Sequence, residues 1–202
     1  ETDIAEITTT QLGAFSATQI GQFTTTSLAA FDVNQVAALS TTQVKGITNT
    51  QLAALTTTDI NEFTATQIGA LTTTQLSALS TTQLGALDET QAAGLTTTQV
   101  AAFSVAQVRG LAAADFAELN ATQFAALTGA QVASFSTTAI ADLAATTAEM
   151  FTTTQIAALT TTQLDNLTSD NISALNSTQL AAFTTAQVQS FDDQQTAAYL
   201  GL

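Results

Sequence analysis

The sequence predicts an all-α fold, a solenoid of single short helices in which each eight-residue repeat forms one capped helix. Three observations lead to this prediction. A large apolar residue recurs every eight positions without insertion or deletion, a helix-capping residue follows it in 22 of 24 copies, and glutamine comes three positions later in 18 of 24. A β-solenoid is the alternative, because threonine in isolation favours strands.

The repeat is an octad of the form Leu-Thr-Thr-Thr-Gln-Ile-Ala-Ala, and its 24 full copies run from Ile7 to Ala198. Partial copies flank them, so residues 1–202 are predicted to form one continuous domain. Positions one and six carry the large apolar residues. One long helix does not fit, because eight residues rotate an apolar stripe by about 80° per copy and leave no constant face.

Position two is predicted to be the N-cap of each helix. It holds Thr, Ser, Asp or Asn except at Ala112 and Ala144. Asp and Asn are poor strand residues, but their short side-chain oxygens accept well from amides of a first helical turn. Glutamine at position five completes a capping box, and the apolar residues at positions one and six are placed to form a hydrophobic staple.

The predicted caps and staples can be named for three representative octads. Capping boxes are expected for Thr72 with Gln75, Thr96 with Gln99 and Thr152 with Gln155, and core staples for Leu71 with Leu76, Leu95 with Val100 and Phe151 with Ile156.

Each helix should span about a turn and a half, which is too short to be stable alone, so stability must come from stacking of neighbouring octads. Small residues at position eight, such as Ala54 and Gly94, suit a tight reversal and close backbone approach. Positions three and four, mostly Thr, should face water. Around Ala139, Ala144 and Thr147 the cap and glutamine are both missing, and helices there are expected to merge or bend.

Composition excludes several classes of function. The net charge is −14 and Lys45 and Arg109 are the only cations, so a nucleic-acid partner is not expected. The chain has no His and no Cys, which removes the usual general base, thiol nucleophile and soft-metal ligands. We therefore expect no enzyme activity and no cofactor. No apolar run approaches the roughly 18 residues of a membrane span.

Two pairs of acids have the spacing to lie on one helical face: Asp59 with Glu62, and Asp115 with Glu118. A hard cation such as calcium prefers six to eight oxygens, and two carboxylates supply few of them. Solvated surface acids are therefore the favoured interpretation, and the four residues are only weak metal candidates. The pairs, with Asp3 and Glu6, recur every 56 residues, which indicates either duplication of a seven-octad block or a structural period.

Runs such as Leu71-Thr-Thr-Thr-Gln-Leu-Ser-Ala-Leu-Ser-Thr-Thr-Gln-Leu84 resemble the Thr/Gln-rich octapeptide segments of large secreted bacterial surface proteins, which are often adhesin-like. The resemblance covers nearly the whole chain. It implies an extracellular or cell-surface location, in a bacterium, and a structural role.

Two functions from different classes follow. The first is an extracellular structural repeat that forms a rod, stalk, sheath or filament. Apolar residues near both ends, including Ile4, Ile7, Phe191 and Tyr199, predict end-to-end contacts with a second copy or with further repeats of the same protein. The second is a binding module that presents a regular row of threonines to ice or to a polysaccharide. Simple capping and solubility roles for threonine are favoured over the second.

Overall fold

The computed structural model describes residue 4 and residues 6–202. Within that part of the chain every regular element is a short helix, 24 in all, and none is a strand. The predicted all-α architecture of one helix per octad is confirmed, and the β-solenoid alternative is wrong. Asp3, the first acid of the 56-residue series, lies outside the described residues.

The helices form two compact units, one ending at Phe103 and the other beginning at Ser104. The prediction of one continuous domain over residues 1–202 stays a prediction. The helices of the first unit are α1 (Thr9–Gly13), α2 (Ala17–Ile20), α3 (Thr25–Leu28), α4 (Val33–Ala38), α5 (Thr41–Gly46), α6 (Asn49–Ala54), α7 (Thr57–Asn61), α8 (Ala65–Ala70), α9 (Thr73–Leu76), α10 (Thr81–Leu84), α11 (Glu89–Gly94) and α12 (Thr97–Ala101).

The second unit repeats the same arrangement. Its helices are α13 (Val105–Arg109), α14 (Ala113–Ala117), α15 (Ala121–Ala125), α16 (Gly129–Val132), α17 (Thr137–Ala141), α18 (Ala145–Ala148), α19 (Thr153–Ala158), α20 (Thr161–Leu164), α21 (Ser169–Ser173), α22 (Ser177–Leu180), α23 (Thr185–Val188) and α24 (Asp193–Leu200). Among these described helices, none combines the length and apolar character that crossing a membrane requires.

Each helix begins where the chain turns from an extended segment into a capped first turn. Before α9, for example, Leu71 has φ −58° and ψ 139°, and Thr72 has φ −71° and ψ 157°. Helix α9 ends at Leu76, and Ser80, with φ −69° and ψ 162°, is the extended N-cap of α10, so the octad limits helix length. The eight-residue α24 is the longest described helix, and it ends at Gly201, whose φ of 72° is left-handed and costs little without a Cβ.

The apolar positions one and six line the interior of each unit. Position six is the more completely enclosed, with Leu52, Ile68 and Ile156 all at 0% exposure. In the second unit four aromatic rings fill this space, and the rings of Phe116 and Phe135 stack with centroids 4.1 Å apart. Such burial supplies the stabilisation that an isolated turn and a half of helix lacks.

Within each unit, successive turns of the stack are joined where a helix packs on the helix three places further along, as for α2 on α5 and α8 on α11. Two glycines allow the first of these approaches. A Cβ on Gly21 would lie 2.6 Å from the carbonyl oxygen of Gly46, and a Cβ on Gly46 would overlap the backbone of Ala17. Gly69 and Gly94 repeat this arrangement between α8 and α11.

The expectation that helices merge or bend near residues 139–150 is wrong. Helices α17 and α18 stay separate although Ala144 offers no side-chain cap. Ala144 still takes the extended cap conformation, with φ −70° and ψ 147°, and Leu143 and Ala148 remain buried on either side of it. Burial of the two apolar positions therefore keeps the octad turn where the capping bond is lost.

Candidate functional site

The capping box is the local unit from which the site is built. The Thr72 amide donates to Gln75 Oε1 at 2.8 Å, and the Gln75 amide donates back to Thr72 Oγ1 at 3.1 Å. Thr96 with Gln99 and Thr152 with Gln155 show the same reciprocal pair, with both distances between 2.6 and 3.2 Å. Two otherwise unpaired amides of each first turn are satisfied in this way.

The apolar residues beside these caps are buried. Exposure is 4% and 1% for Leu71 and Leu76, 5% and 0% for Leu95 and Val100, and 4% and 0% for Phe151 and Ile156. The caps therefore sit at the edge of the core, and this position points the glutamine side chains inward.

Glutamine at position five has a second role, which joins one turn of the stack to the next. Its Oε1 serves the capping box, while its Nε2 donates to two carbonyl oxygens of earlier octads. Gln75 Nε2 lies 2.9 Å from the Val44 oxygen and 2.7 Å from the Ile47 oxygen. Val44, 31 residues earlier, lies in the last turn of α5, and Ile47, 28 residues earlier, is the first residue of the next octad.

We call this series of amide-to-carbonyl bonds the glutamine ladder. The glutamines that donate to the carbonyls 31 and 28 residues earlier are Gln35, Gln43, Gln51, Gln67, Gln75, Gln83, Gln91, Gln99, Gln155, Gln163, Gln187 and Gln195. Gln179 keeps the bond to the carbonyl 28 residues earlier, that of Phe151, but its second acceptor is the carbonyl of Glu149, 30 residues earlier. All of these side chains are buried.

The ladder was missed by sequence reasoning, although the sequence holds a signal for it. A capping box accepts Glu as readily as Gln, yet no octad has Glu at position five. The buried site needs an acceptor on one side and a donor on the other, and the side-chain amide of glutamine supplies both, whereas a carboxylate supplies only the acceptor. A carboxylate at this position has no hydrogen to donate, and it would place its negative charge beside two carbonyl oxygens.

The ladder is interrupted where position five is not glutamine. Asn171 is shorter and makes one bond of the two, from Nδ2 to the Leu143 oxygen at 2.9 Å. Asp59 keeps the capping role, since its Oδ2 accepts from the Thr56 amide at 2.7 Å, but it has no amide to donate. Among the described residues, none donates to the carbonyl oxygen of Phe31, which lies 28 residues before Asp59.

The acids at this interruption lie in one small pocket together with apolar residues. Asp59 and Glu62 line it beside Leu28 and Phe31. Partial burial raises the pKa of Glu62, and the nearby carboxylates of Asp59 and Asp32 raise it further. The described residues contain no cluster of three or more acids, histidines or cysteines that could hold a metal ion.

The second acid pair has the same local structure. Asp115 Oδ2 accepts from the Ala112 amide at 2.8 Å, which caps α14 although Ala112 has no side-chain oxygen. Glu118 is the C-terminal cap residue of the same helix. Asp115 thus has a structural role at the start of α14. Its spacing from Glu118 is three residues because the two acids occupy positions five and eight of one octad.

Threonine at position four forms an exposed row on the first unit. This position is exposed in every octad, and in the first unit Thr42, Thr50, Thr58, Thr66, Thr74, Thr82, Thr90 and Thr98 occupy it in unbroken succession. It is separate from the capping position. These hydroxyl and methyl groups are therefore available to solvent.

The fold and the ladder define a helical repeat protein whose unit is a capped octad. A family described as "ALTTAQ repeat" matches residues 4–41, 44–81, 60–97 and 68–105. Its six letters correspond to runs such as Ala70-Leu-Thr-Thr-Thr-Gln75, which spans the staple, the cap and the ladder residue. The first half of the chain is thus similar to this repeat family. No curated protein and no solved structure matches the chain.

Proposed function

We propose that the chain is a non-catalytic structural module that builds regular length outside the cell, as part of a stalk, sheath or filament. The observation that carries this proposal is the glutamine ladder, in which the same bonds join octad to octad along the part of the chain that the structure describes. A catalytic protein needs different groups at one place. Here the groups with specific geometry are repeated along the chain, and they hold the stack together.

The extracellular, bacterial location is supported by the resemblance of the Thr/Gln octads to secreted surface proteins. Only 9% of the residues are charged, so few surface contacts depend on salt, which suits a protein that must keep a regular structure under changing solution conditions. Immunolabelling of intact cells of the source organism tests this part. Labelling seen only after permeabilisation would contradict it.

The structural role has a direct length test. Deleting or duplicating a block of 56 residues in register, for example residues 47–102, should change the maximum dimension in small-angle X-ray scattering by the same increment each time. The reason is that each octad makes the same contacts with earlier octads. Far-UV circular dichroism should show unchanged helix per residue. Unequal increments, or loss of helix in the shortened chain, would argue against a modular spacer.

A surface-binding function is the second candidate, and the exposed row of threonines at position four favours it. Hydroxyl and methyl groups at fixed spacing on a rigid scaffold can match a repeating ligand such as ice or a polysaccharide. Inhibition of ice recrystallisation and retention on polysaccharide resins would test it, with Thr58→Lys, Thr66→Lys and Thr74→Lys combined as the variant. Complete inactivity of the unaltered chain in both assays would reject this candidate.

A further inference from the structure

One octad of the second unit lacks the polar side chain from which a ladder bond is made. Position five holds a residue with a polar side chain in every full octad except that of residues 135–142, where it is Ala139. Other replacements of glutamine, such as Asp59 and Asn171, keep at least one polar atom. The atoms that Ala139 lacks relative to glutamine are a methylene group and a carboxamide, which together correspond to one molecule of acetamide.

An intact ladder position in the same unit shows what these atoms contact. Gln155 Oε1 accepts from the Thr152 amide at 2.8 Å. Gln155 Nε2 donates to the carbonyl oxygens of Phe124 and Leu127, both at 2.8 Å. The carboxamide is thus held by a donor on one side and by two acceptors on the other.

Around Ala139 the corresponding groups have lost this carboxamide. They are the amide of Ser136 and the carbonyl oxygens of Val108 and Leu111. Among the residues that the structure describes, none accepts from the Ser136 amide and none donates to the Leu111 oxygen. Ser136 Oγ still accepts from the Ala139 amide at 3.0 Å, so the helix start is kept while the partners of the glutamine are left unpaired.

A surface pocket of about 230 Å³ opens at this position, and we call it the Ala139 pocket. Ser136, Ala139 and Leu111 line it together with Arg109 and Asp142. A water molecule takes about 30 Å³ in the liquid, so the pocket has room for a small organic molecule. The pocket of the first unit, where an acid replaces the glutamine, has a volume of only about 10 Å³.

We propose that the Ala139 pocket binds a primary carboxamide in place of the missing glutamine side chain. The carboxamide oxygen accepts from the amide and the hydroxyl of Ser136, as Gln43 Oε1 accepts from the amide and hydroxyl of Ser40 at 2.8 and 2.9 Å. The carboxamide nitrogen donates to the oxygens of Val108 and Leu111. A carboxylate lacks the donors and an ammonium group lacks the acceptor, so the pocket selects the amide.

Two charged side chains of the pocket bear on which molecule carries the carboxamide. Arg109 and Asp142 both line the pocket, and in the described part of the chain neither side chain has an ion-pair partner. Arg109 suits a carboxylate of the ligand and Asp142 suits an ammonium group. Free glutamine has both groups besides its carboxamide, whereas a glutamine side chain of another protein has the carboxamide alone. The charges therefore favour the free amino acid.

The first test is titration of the full chain with acetamide, followed by nuclear magnetic resonance. We expect saturable shifts of the Ser136 amide proton and of the Leu111 carbonyl carbon. The dissociation constant should be in the millimolar range, because so small a ligand makes few contacts. Acetone, which has the same shape and the same acceptor but no N–H donor, is the matched probe and should bind at least ~10-fold more weakly. Equal binding of acetone, or no saturable shift with acetamide, would overturn the proposal.

The second test fills the pocket by substitution. Ala139→Gln supplies the carboxamide covalently, so it should abolish the acetamide shifts and raise the melting temperature. Ala139→Leu should also abolish the shifts, because it fills the pocket without an amide. Ala141→Gln, at an exposed position of the same helix, is the matched control and should bind acetamide as the unaltered chain does. Undiminished binding to Ala139→Gln would show that acetamide binds elsewhere and would contradict the proposal.

The third test identifies the carrier by comparing L-glutamine with glutamine blocked by an acetyl group and a methylamide. We expect L-glutamine to bind more tightly, and Arg109→Gln to remove the difference. Equal binding of the two would reject the roles of Arg109 and Asp142 and assign the pocket to glutamine side chains of a partner protein. The inference goes beyond the proposed structural function and does not depend on it. A chain with regular length increments and no acetamide binding would keep the structural role and lose only this site.

Discussion

The position-five glutamine is bound at both ends of its side-chain amide. Its oxygen accepts from the cap residue of its own octad, and its nitrogen donates to carbonyls 31 and 28 residues earlier, as Gln75 does to Val44 and Ile47. No buried side-chain nitrogen or oxygen lacks a partner among the described residues. Since an unsatisfied buried polar group costs about 1–3 kcal/mol, full satisfaction is what makes so many buried amides tolerable.

The two roles of this residue can be separated by substitution. Gln75→Glu retains the oxygen for the capping box but loses the donor and places a charge at a buried site, so it should lower the free energy of unfolding by about 2–4 kcal/mol. Thr72→Val, which removes the cap hydroxyl alone, should cost about 1 kcal/mol. Chemical denaturation measures both. Equal losses for the two variants would show that the cross-octad bonds contribute nothing.

Filling the interruption at Asp59 should stabilise the chain. In Asp59→Gln the new Nε2 can donate to the free carbonyl oxygen of Phe31 and to that of Leu28, with a gain of about 1 kcal/mol in the free energy of unfolding. The control is Asp165→Gln, an exposed site with the same change in charge, which should alter stability by less than about 0.5 kcal/mol. A gain no larger at Asp59 than at Asp165 would mean that relief of charge, and not the ladder, is responsible.

The raised pKa of Glu62 predicts a pH dependence of stability. Partial burial and the carboxylates of Asp59 and Asp32 disfavour the ionised form of Glu62, so its pKa in the folded chain is raised above the ordinary value of 4.5. The associated stability is therefore fully present below pH 4.5 and is lost as the pH rises through the folded-state pKa. In Glu62→Gln, the stability gain over the unaltered chain should grow across that window. A gain that does not change with pH would contradict this assignment.

At the scale of the helix, close packing of successive turns depends on residues with no side chain. Gly46→Ala would push a methyl group into the backbone of Ala17, and the resulting displacement of α5 from α2 should cost about 1–3 kcal/mol. Gly13→Ala is the matched control, because no atom lies within 4 Å of its added Cβ, and it should leave stability unchanged or slightly higher. Thermal unfolding followed by circular dichroism distinguishes the two variants. Similar melting temperatures would show that α2 and α5 are not in close contact.

The helices themselves could be predicted from the sequence, whereas their stacking could not. The residue at position two is the N-cap of every described helix. This could be predicted because the cap is a local interaction between residues three apart, as in Thr72 with Gln75. The ladder joins residues 28 and 31 apart, and nothing local in the octad specifies that separation. The absence of Glu at position five is a signal in the sequence that a donor is needed there, but it does not show where the acceptor lies.

The irregular octads show the same difference between local capping, which the sequence predicts, and tertiary packing, which it does not. Loss of the cap at Ala144 and of glutamine at Ala139 and Thr147 suggested merged helices, because the local interactions are missing. Burial of Leu143 and Ala148 in the stack preserves the turn. Tertiary packing thus overrides a local deficit, and only the assembled structure shows it.

For the molecule as a whole, one rule accounts for both stability and the proposed function. The side-chain amide of a position-five glutamine is fully hydrogen-bonded only when the octads three and four places earlier supply its carbonyl acceptors. Each octad is therefore stabilised by its neighbours in the array. The proposed structural role therefore depends on the same interactions that stabilise the fold.

The most direct test of this account is solvent exchange of the glutamine side-chain amides, followed by nuclear magnetic resonance on the dilute chain. We expect slow exchange for ladder glutamines such as Gln51, Gln75 and Gln163, and fast exchange for Gln11, Gln19 and the exposed Gln22. Uniformly fast exchange at every glutamine would contradict the ladder, and with it the fold and function derived from it.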